Sequence, residues 1–391
     1  VNKETKAQTA QFIEQQLKIE KFERKALRDL LGYYNKAKKS AARDINAAIK
    51  RQHNLQSKSR LSALYKEIDN KIKDLTDSLN KPISKAVGEA GAFSYTDTNR
   101  ILSWDNRVQG FNNVARSPAQ VASMVQDEKL GGKYLDDWLW SAMREENGAL
   151  KAEVASSMIR GKGYKETMKE LGGRYDNMLS AKGNKQNIET VTKSYIQSAN
   201  AKAHEDIYEA NSDIIESVEW SAVMESGNTA TGRGTCPRCA ALDGMQYKST
   251  RSAPPCPLHP RCRCMLLPIT PTWRELGFDV DEMEPVYKKW YIRSPGRKIM
   301  QTGLIDGNYA DWWMTRSNKF QDASVGPRRA ELIRADIIDF QDIVVPGTGR
   351  LKLLDELPGM VAKPITQPYM YQPIATAEGE LGKIMTIGKC I

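Results

Sequence analysis

Five of the chain's six cysteines, Cys236, Cys239, Cys256, Cys262 and Cys264, fall within 29 of its 391 residues. Thr235-Cys236-Pro237-Arg238-Cys239 is a C-x-x-C knuckle, and Pro255-Cys256-Pro257-Leu258-His259-Pro260-Arg261-Cys262-Arg263-Cys264 adds one imidazole and three thiols. Tetrahedral zinc takes four sulfur or nitrogen ligands, which two short-spaced pairs joined by a longer loop can deliver. The preferred set is Cys236, Cys239, His259 and Cys262, with Cys264 as substitute for the fourth ligand and Cys256 left out. Four protein ligands close the coordination sphere, so the expected zinc is structural rather than catalytic. Three other states of these thiols compete: a redox C-x-x-C, which lacks a βαβ context; disulfides, disfavoured in a reducing compartment; and unliganded buried thiols.

The elements that must position this cluster are mainly helical. Val218 to Val223 alternates and is rich in strand formers, which predicts a β-strand, and a Gly/Thr-rich loop (Gly227 to Gly234) follows it. Upstream, Ile188, Val191, Tyr195, Ala199, Ala203, Ile207 and Tyr208 mark a long helix over about Gln186 to Ala210, with His204 as a packed residue. Trp138, Leu139, Met143, Leu150, Val154 and Met158 predict another ending near Gly161, and a shorter one over Tyr164 to Leu171 stops at Gly172-Gly173. Ser117-Pro118 reads as an N-cap followed by a first-turn proline. Between Pro82 and Gly110 irregular structure is expected.

The positive charge is concentrated elsewhere. The chain carries 58 Lys+Arg against 48 Asp+Glu, a formal +10, and residues 1–86 alone hold 20 basic and 10 acidic residues, so the rest is balanced. Phe12, Ile13, Leu17, Phe22, Leu27, Leu30 and Tyr34, then Leu61, Leu64, Ile68, Ile72 and Leu75, recur at helical spacing until Pro82, where a break is expected. Lys36, Lys38, Lys39, Arg43, Lys50, Arg51, Lys58 and Arg60 occupy the other face. They read either as a polyanion contact or as an ordinary solvated surface; His53, among them, reads as solvated.

At the cysteine cluster the sequence also resembles a known family. Trp220, then Cys236-Pro237-Arg238-Cys239-Ala240-Ala241-Leu242-Asp243-Gly244, then His259-Pro260-Arg261-Cys262-Arg263-Cys264 is similar to the signature of the tailed-phage minor head proteins, the Mu F-like head morphogenesis family. The family's pattern is a tryptophan strand, C-x-x-C-x-x-L-D-G and H-P-x-C-R-C. The resemblance covers about Ser117 to Leu357, including Val325 to Leu332; Lys193-Ser194-Tyr195 departs from it, standing where many members have Arg-Thr-Glu. It implies a virion protein in several copies at the portal vertex or head interior, acting in head assembly, DNA packaging or genome ejection. The implied partners are the portal protein or major capsid protein and packaged double-stranded DNA, held without base reading. The host cytoplasm is the expected place of assembly.

The carboxy-terminal part is expected to fold around Trp273, Trp290, Tyr291, Trp312, Trp313 and Phe320, then to end in a proline-spaced arm from Lys363 to Pro373. Cys390 reads as a bystander. Mean hydropathy is −0.57, and no run approaches the roughly 20 apolar residues of a membrane helix; nor does the amino terminus read as a secretory signal. Three histidines leave little for His-based hydrolysis. Gly382 to Lys389 misses the phosphate-loop spacing, and no G-x-S-x-G elbow occurs. Asp136-Asp137 and Glu145-Glu146 are sequence neighbours on a helix and point apart, so no enzyme is expected. Two alternatives stand: a toxin enzyme domain within 271–391, or a zinc-stabilised DNA-binding protein unrelated to virions. The expected architecture is α+β, mainly α. It comprises a basic helical segment (1–86), an α+β middle domain with a small zinc-stabilised β element (87–270), a small carboxy-terminal domain (271–357) and an extended arm (358–391).

Overall fold

A computed structural model describes residues 3–52, 58–103, 110–127, 133–160, 182–223, 235–271, 288–293, 300–305 and 307–358, with a few single positions between them. His53, the Gly172-Gly173 stop, the Gly227 to Gly234 loop, Trp273, the carboxy-terminal arm and Cys390 lie outside the described residues. The fold is mainly α with a small antiparallel sheet, as expected.

Helices α1 (Lys3–Gln52) and α2 (Lys58–Leu102) form an antiparallel hairpin: Gln15 reaches Thr98 at one end and Arg51 meets Glu67 at the other. Their three- and four-residue apolar steps bury Ile19, Leu30, Ile45 and Ile49 of α1 in one core with Leu64, Ile68, Leu75 and Leu79 of α2. The break expected at Pro82 does not occur, and the stretch read as irregular is helical to Leu102. A mid-helix proline costs about 3 kcal/mol. Leu79 and Ile83, on either side of it, are fully buried, and burying each stabilises by roughly 1.5–3 kcal/mol, which offsets the lost ladder bond.

The same stretch hides a packing device. A Cβ on Gly88 would stand 2.2 Å from the Pro118 carbonyl oxygen, and one on Gly91 2.3 Å from Val121 Cγ1. These two glycines let α3 (Pro118–Asp127) lie directly on α2. Ser117 opens α3 as expected: its Oγ accepts from Gln120 N, while Gln120 Oε1 accepts from Ser117 N. Helix α4 (Leu135–Ile159) is fastened to α2 through Asn147 and Lys151 on Asp69 and Tyr65 on the Lys151 carbonyl. Asp136 and Asp137 sit in its first turn, one accepting from Asn80 and the other from Tyr134 N, and they do not face each other as an acid/base pair.

Helix α5 (Lys182–Ala210) packs across the hairpin. Between α1 and α5 runs a buried polar seam: Gln16 donates to Gln197, Gln197 to Glu23, and His204 bonds Gln15 at 2.8 Å. His204 also stacks on Tyr208 and meets the edge of Phe12, the packed role expected of it. Burial pushes its imidazole down to about 4, so it is neutral.

The sheet follows. Strand β1 (Ser217–Ser221) is central, flanked antiparallel by β2 (Gln246–Tyr247) and β3 (Met265–Ile269), with Trp220 opposite Leu266 and fully buried. Between β1 and β2 lies the short helix α6 (Pro237–Leu242). Beyond a two-stranded ribbon of β4 (Lys288–Arg293) and β5 (Met300–Ile305) come α7 (Tyr309–Met314), α8 (Asn318–Val325), α9 (Pro327–Arg334), and the small hairpin of β6 (Val344–Val345) and β7 (Arg350–Leu351). Trp312 and Trp313 are buried here, touching Phe320 and Phe340, the core role expected of those aromatics. No helix among the described residues is long and apolar enough to cross a membrane.

Candidate metal centre

The knuckle is the start of α6. Cys236 is its N-cap, with Sγ accepting from Cys239 N at 3.4 Å, and Pro237 occupies the first turn, where no N–H is missed. A helical step of three places both sulfurs at the same end of the helix. The second half of the cluster is the loop entering β3. Arg261 sits in the left-handed region (φ 62°), and three hydrogen bonds hold it on α5: its N to Ser194 Oγ (2.9 Å), Nε to Thr190 Oγ1 (2.7 Å) and Nη2 to the Gln186 carbonyl (3.1 Å). Arg263 reaches Glu20 of α1 at 3.7 Å. With the loop pinned on both helices, His259, Cys262 and Cys264 point back at the knuckle.

The five candidate donors fall in two overlapping groups, and the preferred four are not all within 4.8 Å of one another. Cys236, Cys239 and His259 form one group whose ligand atoms lie within 4.8 Å of one another, and Cys239, Cys262 and Cys264 form a second that shares Cys239. His259 Nε2 is 3.1 Å from Cys236 Sγ and 3.2 Å from Cys239 Sγ; Cys239 and Cys262 sulfurs are 3.7 Å apart. A tetrahedral zinc bonded at about 2.3 Å to sulfur and about 2.0 Å to nitrogen has S–S edges of about 3.8 Å and S–N edges of about 3.5 Å. The sulfur pair already has that spacing, and the imidazole needs to withdraw by a few tenths of an ångström. Cys256 Sγ instead donates to the Cys264 carbonyl at 3.1 Å.

The protonation pattern suits a cation. The Cys236 thiol is pushed down to about 5, first by its bond with Cys239 and then by His259, against the effect of burial. Cys262 also lies well below the ordinary thiol range, chiefly through Cys239, while Cys239 is held up by Cys236 and Cys262. Burial opposes charge on His259, but the thiols of Cys236 and Cys262 outweigh it and push the imidazole up to about 11. Its Nδ1 donates to the Pro260 carbonyl at 2.8 Å, which fixes the tautomer and aims Nε2 at the sulfurs. His259 would hold a dication through Nε2 in place of its proton, and the cysteines would hold it as thiolates. Soft thiolates with one imidazole are a donor set for zinc and related d-block ions.

Residues whose roles the spacing did not reveal hold the centre in place. Asp243 is 2 % exposed; its Oδ1 accepts from Ala222 N and its Oδ2 from Tyr309 N, both at 2.7 Å, tying the end of β1 to the start of α7. Gly244 (φ 83°) makes the left-handed turn that lets its N–H reach the Trp220 carbonyl. Leu-Asp-Gly in the signature is thus one core side chain, one double acceptor and one turn. Arg238, inside the knuckle, donates to the Gly349 carbonyl, and Tyr247 to that of Pro346, so the β6–β7 hairpin closes over α6.

The basic candidates lie elsewhere. Lys36, Lys39, Arg43 and Lys50 are exposed on α1, Lys38 is half-buried, and Arg51 is exposed but paired with Glu67. The side chains of Lys58 and Arg60 lie outside the described residues. Compared with known proteins, the chain matches no family model, no curated protein and no solved structure.

Proposed function

We propose that this chain is a minor head protein of a tailed-phage virion, whose middle domain is stabilised by one structural zinc on Cys236, Cys239, His259 and Cys262. The observation that carries the reading is the signature itself. Trp220, the C-x-x-C-x-x-L-D-G run and H-P-R-C-R-C occur in the family's order, and the residues so marked also build one compact unit: core strand, knuckle, double acceptor and ligand loop. With four protein ligands the ion would supply cross-linking of α6 to the loop before β3 and leave no position for a catalytic water. The protein is then a structural, non-enzymatic component. Its partners are the portal or major capsid protein on one side and packaged double-stranded DNA on the other, the latter through the basic amino-terminal helices.

Quantitative mass spectrometry of purified virions and of emptied heads tests this. A few to some tens of copies per particle are expected, and retention in emptied heads assigns the chain to the shell or portal. Loss with the genome assigns it to ejection. Absence from particles, with the chain abundant in infected cells, overturns the reading in favour of a toxin enzyme or a free DNA-binding protein. Independently, protein purified under reducing conditions should hold about one zinc per chain. Finding none removes the metal assignment.

A further inference from the structure

The two helices of the hairpin carry their charge differently. From Leu61 to Leu102 the α2 sequence has equal numbers of basic and acidic residues, and much of that charge is internally paired: Lys71 with Asp44 and Asp74, Lys85 with Glu89, Arg100 with Asp97. On α1, Glu20 and Glu23 are buried, Asp44 pairs with Lys71, and most of the cations face solvent. Lys21, Lys25, Lys36, Lys39, Arg43 and Lys50 are all exposed, and none has an ion-pair partner among the described residues. At 100° per residue these six fall within an arc about 60° wide, and at 1.5 Å per residue they span about 44 Å. Gly32 lies on the same arc with open space around it. Asp29 at its edge is the one exposed carboxylate between Lys21 and Lys50 that faces the same way.

We infer that this stripe on the outer face of α1 is a lengthwise docking surface for double-stranded DNA, and that α2 takes no part in it. The inference rests on the reading that the chain contacts packaged DNA, and adds which face does so and in what orientation. The cations follow one another at steps of 4, 11, 3, 4 and 7 residues. An acidic protein motif would have to match that irregular spacing. A duplex does not, because its two strands together carry one phosphate charge per about 1.7 Å of axis, so long, rotatable lysine and arginine side chains spread over about 44 Å meet a strong negative potential at any register. No aromatic side chain lies on the arc, so the stripe offers no stacking platform for unpaired bases.

Anisotropy titrations of the full chain with a fluorescein-labelled 30-base-pair duplex, from 50 to 200 mM salt, test the inference. The triple variant K36Q/K39Q/R43Q is compared with K66Q/K73Q/K81Q, which removes the same charge from exposed positions of α2. At about 0.9 per phosphate, the stripe variant should lose about 2.7 from the slope of log K against log salt, on any duplex sequence. The α2 variant should keep the wild-type slope. Equal losses in both, or none in either, overturn the stripe while leaving DNA contact standing. A wild-type chain that ignores the duplex but binds polyglutamate overturns both, in favour of an acidic protein partner; virion copy number, measured separately, then still decides the head-protein reading. Equal melting temperatures of the variants confirm that the surface changes leave the fold intact.

Discussion

Cys239 meets His259 across 20 residues of chain and Cys262 across 23, whereas in the polar seam of the helices Gln15 meets Thr98 across 83 and His204 across 189. The donor set of the candidate metal centre is therefore local in sequence. Its donors come from one short helix and one loop, while the frame that holds them is not local: Arg261 grips α5, Arg263 reaches Glu20, and Leu242 and Met265 share one hydrophobic core with the helices. The helical layers are the reverse: nearly continuous apolar seams joined at long range, with no need of an ion. If the proposed zinc is bound, the difference teaches that a metal cross-link adds to buried area in one region while buried area acts alone in the other, and it predicts that the two can be broken separately.

On the proposed zinc assignment, removing the metal should have the largest effect. Structural zinc in zinc-finger peptides contributes apparent binding free energies of about 10–16 kcal/mol near neutral pH, comparable to the whole stability of a typical domain, about 5–15 kcal/mol. Chelation, or Cys239→Ser, should leave residues 235–270 open to limited proteolysis while α1 and α2 stay protected and far-ultraviolet dichroism keeps most of its helical signal. Protease patterns mapped by mass spectrometry read this directly. If hairpin and centre are lost together, or neither changes, the two regions are not energetically separate.

The same contrast governs what could be read before any coordinates. The Cys/His cluster was legible because spacing within about thirty residues carries its geometry: a three-residue helical step for the knuckle and a short loop for its partners. Helices were legible from apolar periodicity, and the strand at Trp220 from alternation. Pro82 misled, because a proline's local cost is visible in sequence, whereas the burial of Leu79 and Ile83 that outweighs it depends on α1 and on the layers beyond. Gly88 and Gly91 look like turn residues for the same reason, since only Pro118 and Val121 reveal them as contact points. Asp243 stood inside a recognisable motif, yet its two acceptor roles need Tyr309, 66 residues downstream. The grip of Arg261 on α5 was equally hidden.

The polar seam yields the next largest effect, and it is pH-dependent. Glu23 is pushed up to about 7 from an ordinary 4.5, by burial first, with the Gln197 bond opposing and Glu20 adding repulsion. A carboxyl whose folded value is raised favours the native state below 4.5, and that contribution is lost as pH rises to 7 and beyond. At about 1.4 kcal/mol per unit, the penalty reaches about 3 kcal/mol at pH 8. Glu23→Gln keeps an acceptor for Gln197 and removes the charge, so it should raise the melting temperature at pH 8 and leave it unchanged near pH 4.5. His204 works in the opposite sense: held near 4, it costs stability as pH falls from 6.5 towards 4. In the wild type these slopes offset one another between about 4.5 and 6.5; in the variant the acid limb of His204 should emerge alone. An identical pH profile for the two proteins would mean that Glu23 is solvated in solution.

The smallest effects come from two glycines of the hairpin, and their signs should differ. Alanine is favoured over glycine inside a helix by up to about 1 kcal/mol, so propensity alone predicts that both Gly32→Ala and Gly88→Ala stabilise. At Gly32 nothing lies within 4 Å of the new methyl, and the full gain of about 0.5–1 kcal/mol should appear in denaturant midpoints. At Gly88 the methyl would stand 2.2 Å from a backbone oxygen of α3, which cannot rotate away as a side chain would. Overpacking costs typically 1–3 kcal/mol and exceeds the propensity gain, so Gly88→Ala should destabilise by about 1–2 kcal/mol. Gain at both positions would mean that α3 does not rest on α2. Because neither added methyl would meet a cysteine, neither substitution should alter the content of the proposed zinc, and a change in it would join the two regions that the separate-stability picture divides.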